Sequence, residues 1–128
     1  MKLYCDGASR GNPGNSSIGV CGVSGGKEIF TISQKIGIAT NNQAEWNSLK
    51  EGLLLAINKG FKEIHVYMDS ELVVKQIKGE YKVKNPELKE IKKIVDLLIP
   101  EFTEFKIEHI PRNKNLRADE LANLALDT

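Results

Sequence analysis

Four carboxylates fall where a folding chain seldom keeps them. Asp6 follows the apolar run Leu3-Tyr4-Cys5, and Asp69 follows Ile64-His65-Val66-Tyr67-Met68, and both runs read as central, buried strands. An ionised carboxylate loses much free energy on leaving water unless a partner compensates it. Glu45 shares a helical stripe with Leu49, Gly52 and Ala56, so it turns inward, towards a sheet. Asp119 opens an Ala/Leu-rich closing segment whose small side chains permit close packing. Each acid alone has an ordinary explanation, because helix starts attract Asp and Glu and an Asp after a strand often caps a turn. All four, however, are expected on one rim of one sheet, and no basic residue adjoins Asp6 or Glu45 in sequence. Clustered like charges call for a cation. Oxygen donors without His or Cys select a hard ion such as Mg2+ or Mn2+, which bridges readily to substrate phosphates. The implied chemistry is phosphoryl transfer assisted by two ions ~3.5–4 Å apart, one activating water and the other stabilising the leaving oxygen.

The elements that must position these acids follow from periodicity. Strands are expected at 1–6, 17–23 and 28–36, separated by a loop from Gly7 to Asn15 and a tight turn from Ser24 to Lys27. From Thr40 the period becomes helical, with Trp46, Leu49, Leu53, Ala56 and Ile57 on one face and Gly60 as the stop. Glu63 to Met68 is a short strand, and Leu72, Val73, Gln76 and Ile77 begin a helix that Gly79 ends. Asn85-Pro86 starts another helix as N-cap and first helical residue, carrying Leu88, Ile91, Val95 and Leu98 until Pro100. Phe102 to Ile110 alternates like a strand, Pro111 to Asn115 is a polar loop, and Leu116 to Leu126 is the last helix. The order βββαβααβα predicts one three-layer α/β domain over residues 1–128, with a five-stranded mixed sheet and helices on both faces. Functional groups in such sheets gather at the carboxyl ends of the strands.

Composition narrows the partners. At 128 residues, 41% hydrophobic and 27% charged, the chain has the size and make-up of one globular domain. Eighteen Lys+Arg against seventeen Asp+Glu exclude a uniformly basic arm and an acidic tail. The one basic stretch carries Lys75, Lys78, Lys82, Lys84, Lys89, Lys92 and Lys93 against Glu80, Glu87 and Glu90. Apolar runs such as Leu53 to Ile57 are far shorter than the ~20 residues of a membrane span. Asp6 interrupts any signal-like apolar start, so a cytoplasmic chain is expected, with Cys5 and Cys21 as reduced core thiols.

Four strings give the pattern a family. Asp6-Gly7-Ala8-Ser9-Arg10-Gly11-Asn12-Pro13-Gly14, Thr40-Asn41-Asn42-Gln43-Ala44-Glu45, Asp69-Ser70-Glu71-Leu72-Val73 and Asn115-Leu116-Arg117-Ala118-Asp119-Glu120-Leu121-Ala122 closely resemble, in order, the signatures of type 1 ribonuclease H. The resemblance covers essentially the whole chain and implies the ribonuclease H-like fold. It implies an endonuclease that cuts the RNA strand of RNA/DNA hybrids, leaving a 5′-phosphate and a 3′-hydroxyl. It places two Mg2+ ions, with Mn2+ as a substitute, on Asp6, Glu45, Asp69 and Asp119, with Asp6 bridging both. Asn12, Asn41 and Asn42 match positions that line the minor groove, where amides can bond the RNA 2′-hydroxyls. Thr40 and Asn85 match a phosphate pocket for the DNA strand, consistent with donors beside helix starts. Tyr81, between Lys78 and Lys82, falls near where relatives stack an aromatic on a DNA sugar, although a core tyrosine fits the sequence nearly as well.

Two departures from the family pattern stand out. Many members insert a long basic, Trp-rich protrusion between the helix after the third acid and the next, whereas here only Gly79 to Lys84 intervene. Hybrid binding then rests on Lys75, Lys78, Lys82 and Lys84, and Trp46, the only tryptophan, is expected in the core. Many members also carry a His in the loop before the last acid; Arg112 takes that place here, able to contact a phosphate but not to act as a base. His109 and His65 are read as structural strand residues. The alternative to an enzyme is a catalytically weak module that binds hybrids or double-stranded RNA, which would require a lost acid. A DNA junction nuclease would share the acids but not the Asn12, Asn41 and Asn42 amides. Nothing in the sequence demands more than a monomer.

Overall fold

The first third of the chain, rich in apolar and β-branched residues, forms three antiparallel strands in the computed structural model, which describes residues 1–128: β1 (Lys2–Gly11), β2 (Gly14–Ser24) and β3 (Lys27–Ala39). These strands are longer than their apolar runs. The stretch expected to be a loop from Gly7 to Asn15 is instead paired, from Gly7 with Ile18 to Gly11 with Gly14, leaving only Asn12-Pro13 as the turn. Gly, Ala and Ser have weak strand preferences of their own, so the pairing is imposed by β2 rather than by local sequence. The Ser24 to Lys27 hairpin turn forms as expected.

Helix α1 (Asn41–Asn58) starts at a capping box: Thr40 Oγ1 accepts from the Gln43 amide at 3.1 Å, while Gln43 Oε1 accepts from the Thr40 amide at 2.8 Å. Strand β4 (Glu63–Met68) buries Ile64, Val66 and Met68 on alternate positions. Helix α2 (Glu71–Ile77) is capped by Ser70, and α3 (Pro86–Leu98) by Asn85, whose Oδ1 accepts from Glu87 and Leu88 amides at 2.8 and 3.1 Å. Strand β5 (Glu104–His109) and helix α4 (Leu116–Leu126) complete the chain, with single 3-10 turns at Ile99–Glu101 and Arg112–Lys114. Only residues 78–85 join α2 to α3, so no protrusion is present. No helix is long and apolar enough to cross a membrane.

The sheet order is β3-β2-β1-β4-β5, with β1 antiparallel to β2 and β2 to β3, and with β4 and β5 running parallel to β1. Leu3, Cys5, Val20, Ile64, Val66 and Met68 of the sheet pack against Trp46, Leu49 and Leu53 of α1, Val73 and Val74 of α2 and Leu88 and Val95 of α3. Trp46 is fully buried, and its Nε1 donates to Gln76 Oε1 at 3.0 Å. Both cysteines are buried free thiols.

Helix α4 covers the opposite face. It lies so near β2 that a Cβ on Gly19 would stand 2.1 Å from the Ala118 carbonyl oxygen. Ser17 Oγ and Ser33 Oγ donate to the Ala122 and Leu121 carbonyls, pinning the helix to two strands. Replacing Gly19 by Val therefore forces α4 away from the sheet, and overpacking of this kind costs ~1–3 kcal/mol. Urea denaturation of Gly19→Val is expected to show a lower midpoint with an unchanged slope; an unchanged midpoint would contradict the close approach.

Candidate active site

Register brings the first two acids together. The parallel ladder between β1 and β4 pairs Cys5 with Met68, so the next residues, Asp6 and Asp69, emerge side by side. Asp6 does not end its strand, as its apolar run suggested, because β1 continues to Gly11 alongside β2; what ends beside Asp6 is the ladder with β4. Glu45 reaches the same place from α1. Gly7 makes that approach possible, since a Cβ there would lie 2.3 Å from the Ala44 carbonyl carbon, and the Gly7 amide donates to Glu45 Oε1.

One carboxylate oxygen from each of Asp6, Glu45 and Asp69 lies within 4.8 Å of the others. Asp119, in the first turn of α4, lines the same cleft from the far side. Its Oδ1 accepts from Asn123 Nδ2 at 3.2 Å and from Arg112 Nη2 at 3.5 Å. The cleft has a volume of about 430 Å3, and Asp6, Gly7, Ala8, Ser9, Asn41, Glu45, Asp69, Ser70, Arg112, Asp119 and Asn123 line it.

The acids are electrostatically frustrated. Burial pushes the Asp6 carboxyl up to about 7; a hydrogen bond with Glu45 opposes this, and the charges of Asp69 and Asp119 add to it. Burial, and then the charge on Asp6, push Glu45 well above the usual carboxylate range. Asp69 is also raised by burial, though the Arg112 guanidinium draws it back. Arg112 is the only basic residue in the cleft wall. The donor set is entirely oxygen, convergent and short of positive charge, so it fits a divalent ion of the Mg2+ or Mn2+ type.

The other residues singled out in the sequence divide. Asn41 lines the cleft, and Asn12 Oδ1 accepts from its backbone amide at 3.0 Å, so these two share one corner. Asn42 is half-buried on α1 and does not line the cleft. Thr40 and Asn85 serve as caps, and Gln43 Nε2 donates to Glu87 Oε2, tying the first turns of α1 and α3 together. Tyr81 is 49% exposed, with Lys75 Nζ 5.1 Å from its ring centroid, so it is a surface aromatic and not part of the core.

The basic stretch is partly neutralised. Lys75 pairs with Glu71 at 2.7 Å, Lys92 with Asp96 at 2.6 Å and Lys93 with Glu90 at 3.3 Å, while Lys78, Lys82, Lys84 and Lys89 stay exposed outside these pairs. His65 is satisfied as expected, with Tyr67 Oη 3.2 Å from Nδ1 and Glu108 3.2 Å from Nε2. His109 is exposed at the end of β5, outside the cleft lining.

Sequence reasoning overlooked Ser9, Ser70, Asn115 and Asn123. Asn123 lies one helical turn beyond Asp119 on the same face, a spacing that could have shown it.

A five-stranded mixed sheet in this order, with acids gathered where β1 and β4 part, defines the ribonuclease H-like fold. The reverse transcriptase-like family matches residues 4–125. Ribonuclease HI of Halobacterium salinarum is 44% identical over 128 residues, covering 99% of this chain and 64% of that protein. The bifunctional protein Rv2228c of Mycobacterium tuberculosis is 42% identical over 127 residues, covering 98% of this chain and 35% of that one. The chain thus spans about two thirds or one third of these relatives' lengths. Among solved structures, RNase H1 from H. salinarum superposes with a TM-score of 0.95 at 43% identity, covering 98% of this chain and 96% of that chain. LC11-RNase H1 in complex with an RNA/DNA hybrid gives 0.92 at 42% identity, covering 98% of this chain and 96% of that chain. The chain belongs to the type 1 ribonuclease H family.

The raised acids set the pH response of the metal-free protein. Asp6 keeps a proton in the folded state that it releases when unfolded, so its stabilising effect is full below about pH 4 and is lost as pH rises through about 7, and Glu45, raised in the same direction, acts with the same sign. In chelator, the melting temperature is expected to fall from about pH 5 to about pH 8, and added Mg2+ should raise it more at the higher pH. Scanning calorimetry checks this; an equal Mg2+ effect at both pH values would contradict it.

Proposed function

We propose that this chain hydrolyses the RNA strand of RNA/DNA hybrids endonucleolytically, leaving a 5′-phosphate and a 3′-hydroxyl. The observation that carries the reading is the convergence of Asp6, Glu45 and Asp69 within 4.8 Å, with Asp119 across the same cleft. The relative solved with an RNA/DNA hybrid, 42% identical over nearly the whole chain, supports the choice of substrate. The proposed unit is one ribonuclease H domain over residues 1–128, working in the cytoplasm as a monomer.

In this reading Asp6, Glu45, Asp69 and Asp119 would hold two Mg2+ ions, or Mn2+ in their place. Such ions would supply activation of a water and charge stabilisation for the departing 3′-oxygen. The chain supplies position. Gly7 aligns Glu45 through its amide, and Asn123 orients Asp119. Arg112, exposed and 3.5 Å from Asp119, holds the scissile phosphate or the released 5′-phosphate. With no histidine in the cleft wall, the proton of the attacking water passes to a carboxylate or to solvent.

Recognition of the two strands divides between the cleft's two sides. Asn12 and Asn41, held in one corner, read RNA 2′-hydroxyls, with Asn42 beside them on α1. Thr40 and Asn85, on helix starts joined by Gln43 and Glu87, hold a phosphate of the DNA strand. Tyr81 lies against a DNA sugar, and Lys75, Lys78, Lys82 and Lys84 follow the backbone. Without a basic protrusion, these few lysines carry most of the salt-sensitive attraction.

Asp69→Asn removes one negative charge and almost no volume. Cleavage of end-labelled RNA annealed to DNA is expected to drop by at least ~100-fold, with the hybrid Kd within about threefold of the unsubstituted chain. Retention of full activity by that variant would overturn the assignment.

A further inference from the structure

Asn115 precedes α4 in the position where an asparagine side chain ordinarily caps the helix by accepting from its first amides. Here it makes no such bond. The side chain is 1% exposed and is turned under the helix, where its Nδ2 donates to the Cys5 carbonyl at 2.9 Å. Cys5 is the residue before Asp6. The same side chain stands close enough to Asp69 to favour its ionised form, and the Asn115 carbonyl accepts from the Asp119 amide at 3.2 Å. Its own Oδ1 is buried and accepts from no protein donor.

Two features of this arrangement are unfavourable for stability. A helix start goes without its side-chain cap, and a buried amide oxygen goes unpaired. Departures of this kind from local preference are expected where a residue serves a site rather than the fold. What the residue does with its polar groups is specific: the amide bonds the strand carbonyl beside Asp6, close to Asp69, while the backbone begins the turn that carries Asp119. These acids repel one another; the β1–β4 ladder holds Asp6 beside Asp69, and the Asn115 side chain is the tie between that ladder and the start of α4.

We propose that Asn115 is the positioning residue of the acidic site, tying β1 to the start of α4 beside the end of β4, so that Asp6 and Asp69 keep ligand spacing and Asp119 its place across the cleft before an ion arrives. The proposal rests on the metal-binding reading above and adds to it a residue that touches neither ion nor substrate. Loss of the tie loosens the ligands, which weakens ion binding and leaves the hybrid-binding surfaces in place.

The test uses the full chain with Asn115→Ala, Asn115→Ser and, as a control for lost stability alone, Val95→Ala in the core beneath α3. Free Mn2+ is followed by electron paramagnetic resonance during titration at a temperature where each variant is folded. Cleavage is measured across a range of Mn2+ concentrations. Asn115→Ala is expected to bind Mn2+ ~10–100-fold more weakly. The metal midpoint of its cleavage should shift by a similar factor, activity should recover at high Mn2+, and the KM for hybrid should stay within about threefold. Val95→Ala should melt earlier and keep the original midpoint. Folded Asn115→Ala with an unaltered Mn2+ affinity would overturn the proposal, whatever its melting temperature, because a purely structural amide changes stability alone. Should Asn115→Ala fail to fold, Asn115→Ser, which is too short to reach the Cys5 carbonyl, carries the same comparison. If the unsubstituted chain itself binds no Mn2+, the metal reading fails and the proposal with it, an outcome distinct from failure at Asn115 only.

Discussion

Repulsion among carboxylates held out of water is the constraint around which the molecule is arranged. Asp6 and Glu45 are both nearly excluded from solvent, and burial raises the proton affinity of each while their charges oppose each other. An isolated chain would relieve this by separating them. The fold prevents separation by fixing each acid to a different rigid element: a central strand, a capped helix, the end of a second strand and the first turn of a helix pinned on the other face. The strain that remains is a standing attraction for divalent cations, and it is the reason the acids can act as a site at all.

Backbone proximity is the means. The parallel register of β1 with β4 sets Asp6 beside Asp69, and two glycines let helices approach the sheet more closely than any side chain allows. Gly7 admits α1, so that Glu45 arrives from one face; Gly19, opposite Asp6 in the ladder, admits α4 and with it Asp119 from the other. The apolar core beneath α1, α2 and α3 supplies the rigidity, with Trp46 locked by Gln76 at its centre. The placement of the acids is thus a consequence of packing on both faces of one sheet, and the site occupies the line where the two faces meet.

Much of this was legible in the residues. Helical and strand periods gave the nine elements in order, and the α3 start at Asn85-Pro86 and the α4 span from Leu116 to Leu126 are as expected because caps and periodicity are local signals. The acids stood out because charged residues after buried strands are rare. What escaped was non-local. The Gly7 to Asn15 stretch has loop composition and becomes strand only through β2. Tyr81 and the paired lysines depend on neighbours that composition does not reveal, and Asn115 read as an ordinary loop residue because its partner, Cys5, is distant in sequence.

The most direct test of the central claim, that the converged acids make a metal-dependent nuclease for hybrids, compares three end-labelled duplexes of one sequence: RNA/DNA, RNA/RNA and DNA/DNA, each with Mg2+, with Mn2+ and with chelator. The account predicts internal cuts in the RNA of the hybrid, with either ion and none in chelator. Binding of the hybrid without cleavage under any metal condition, or cleavage that persists in chelator, would contradict it.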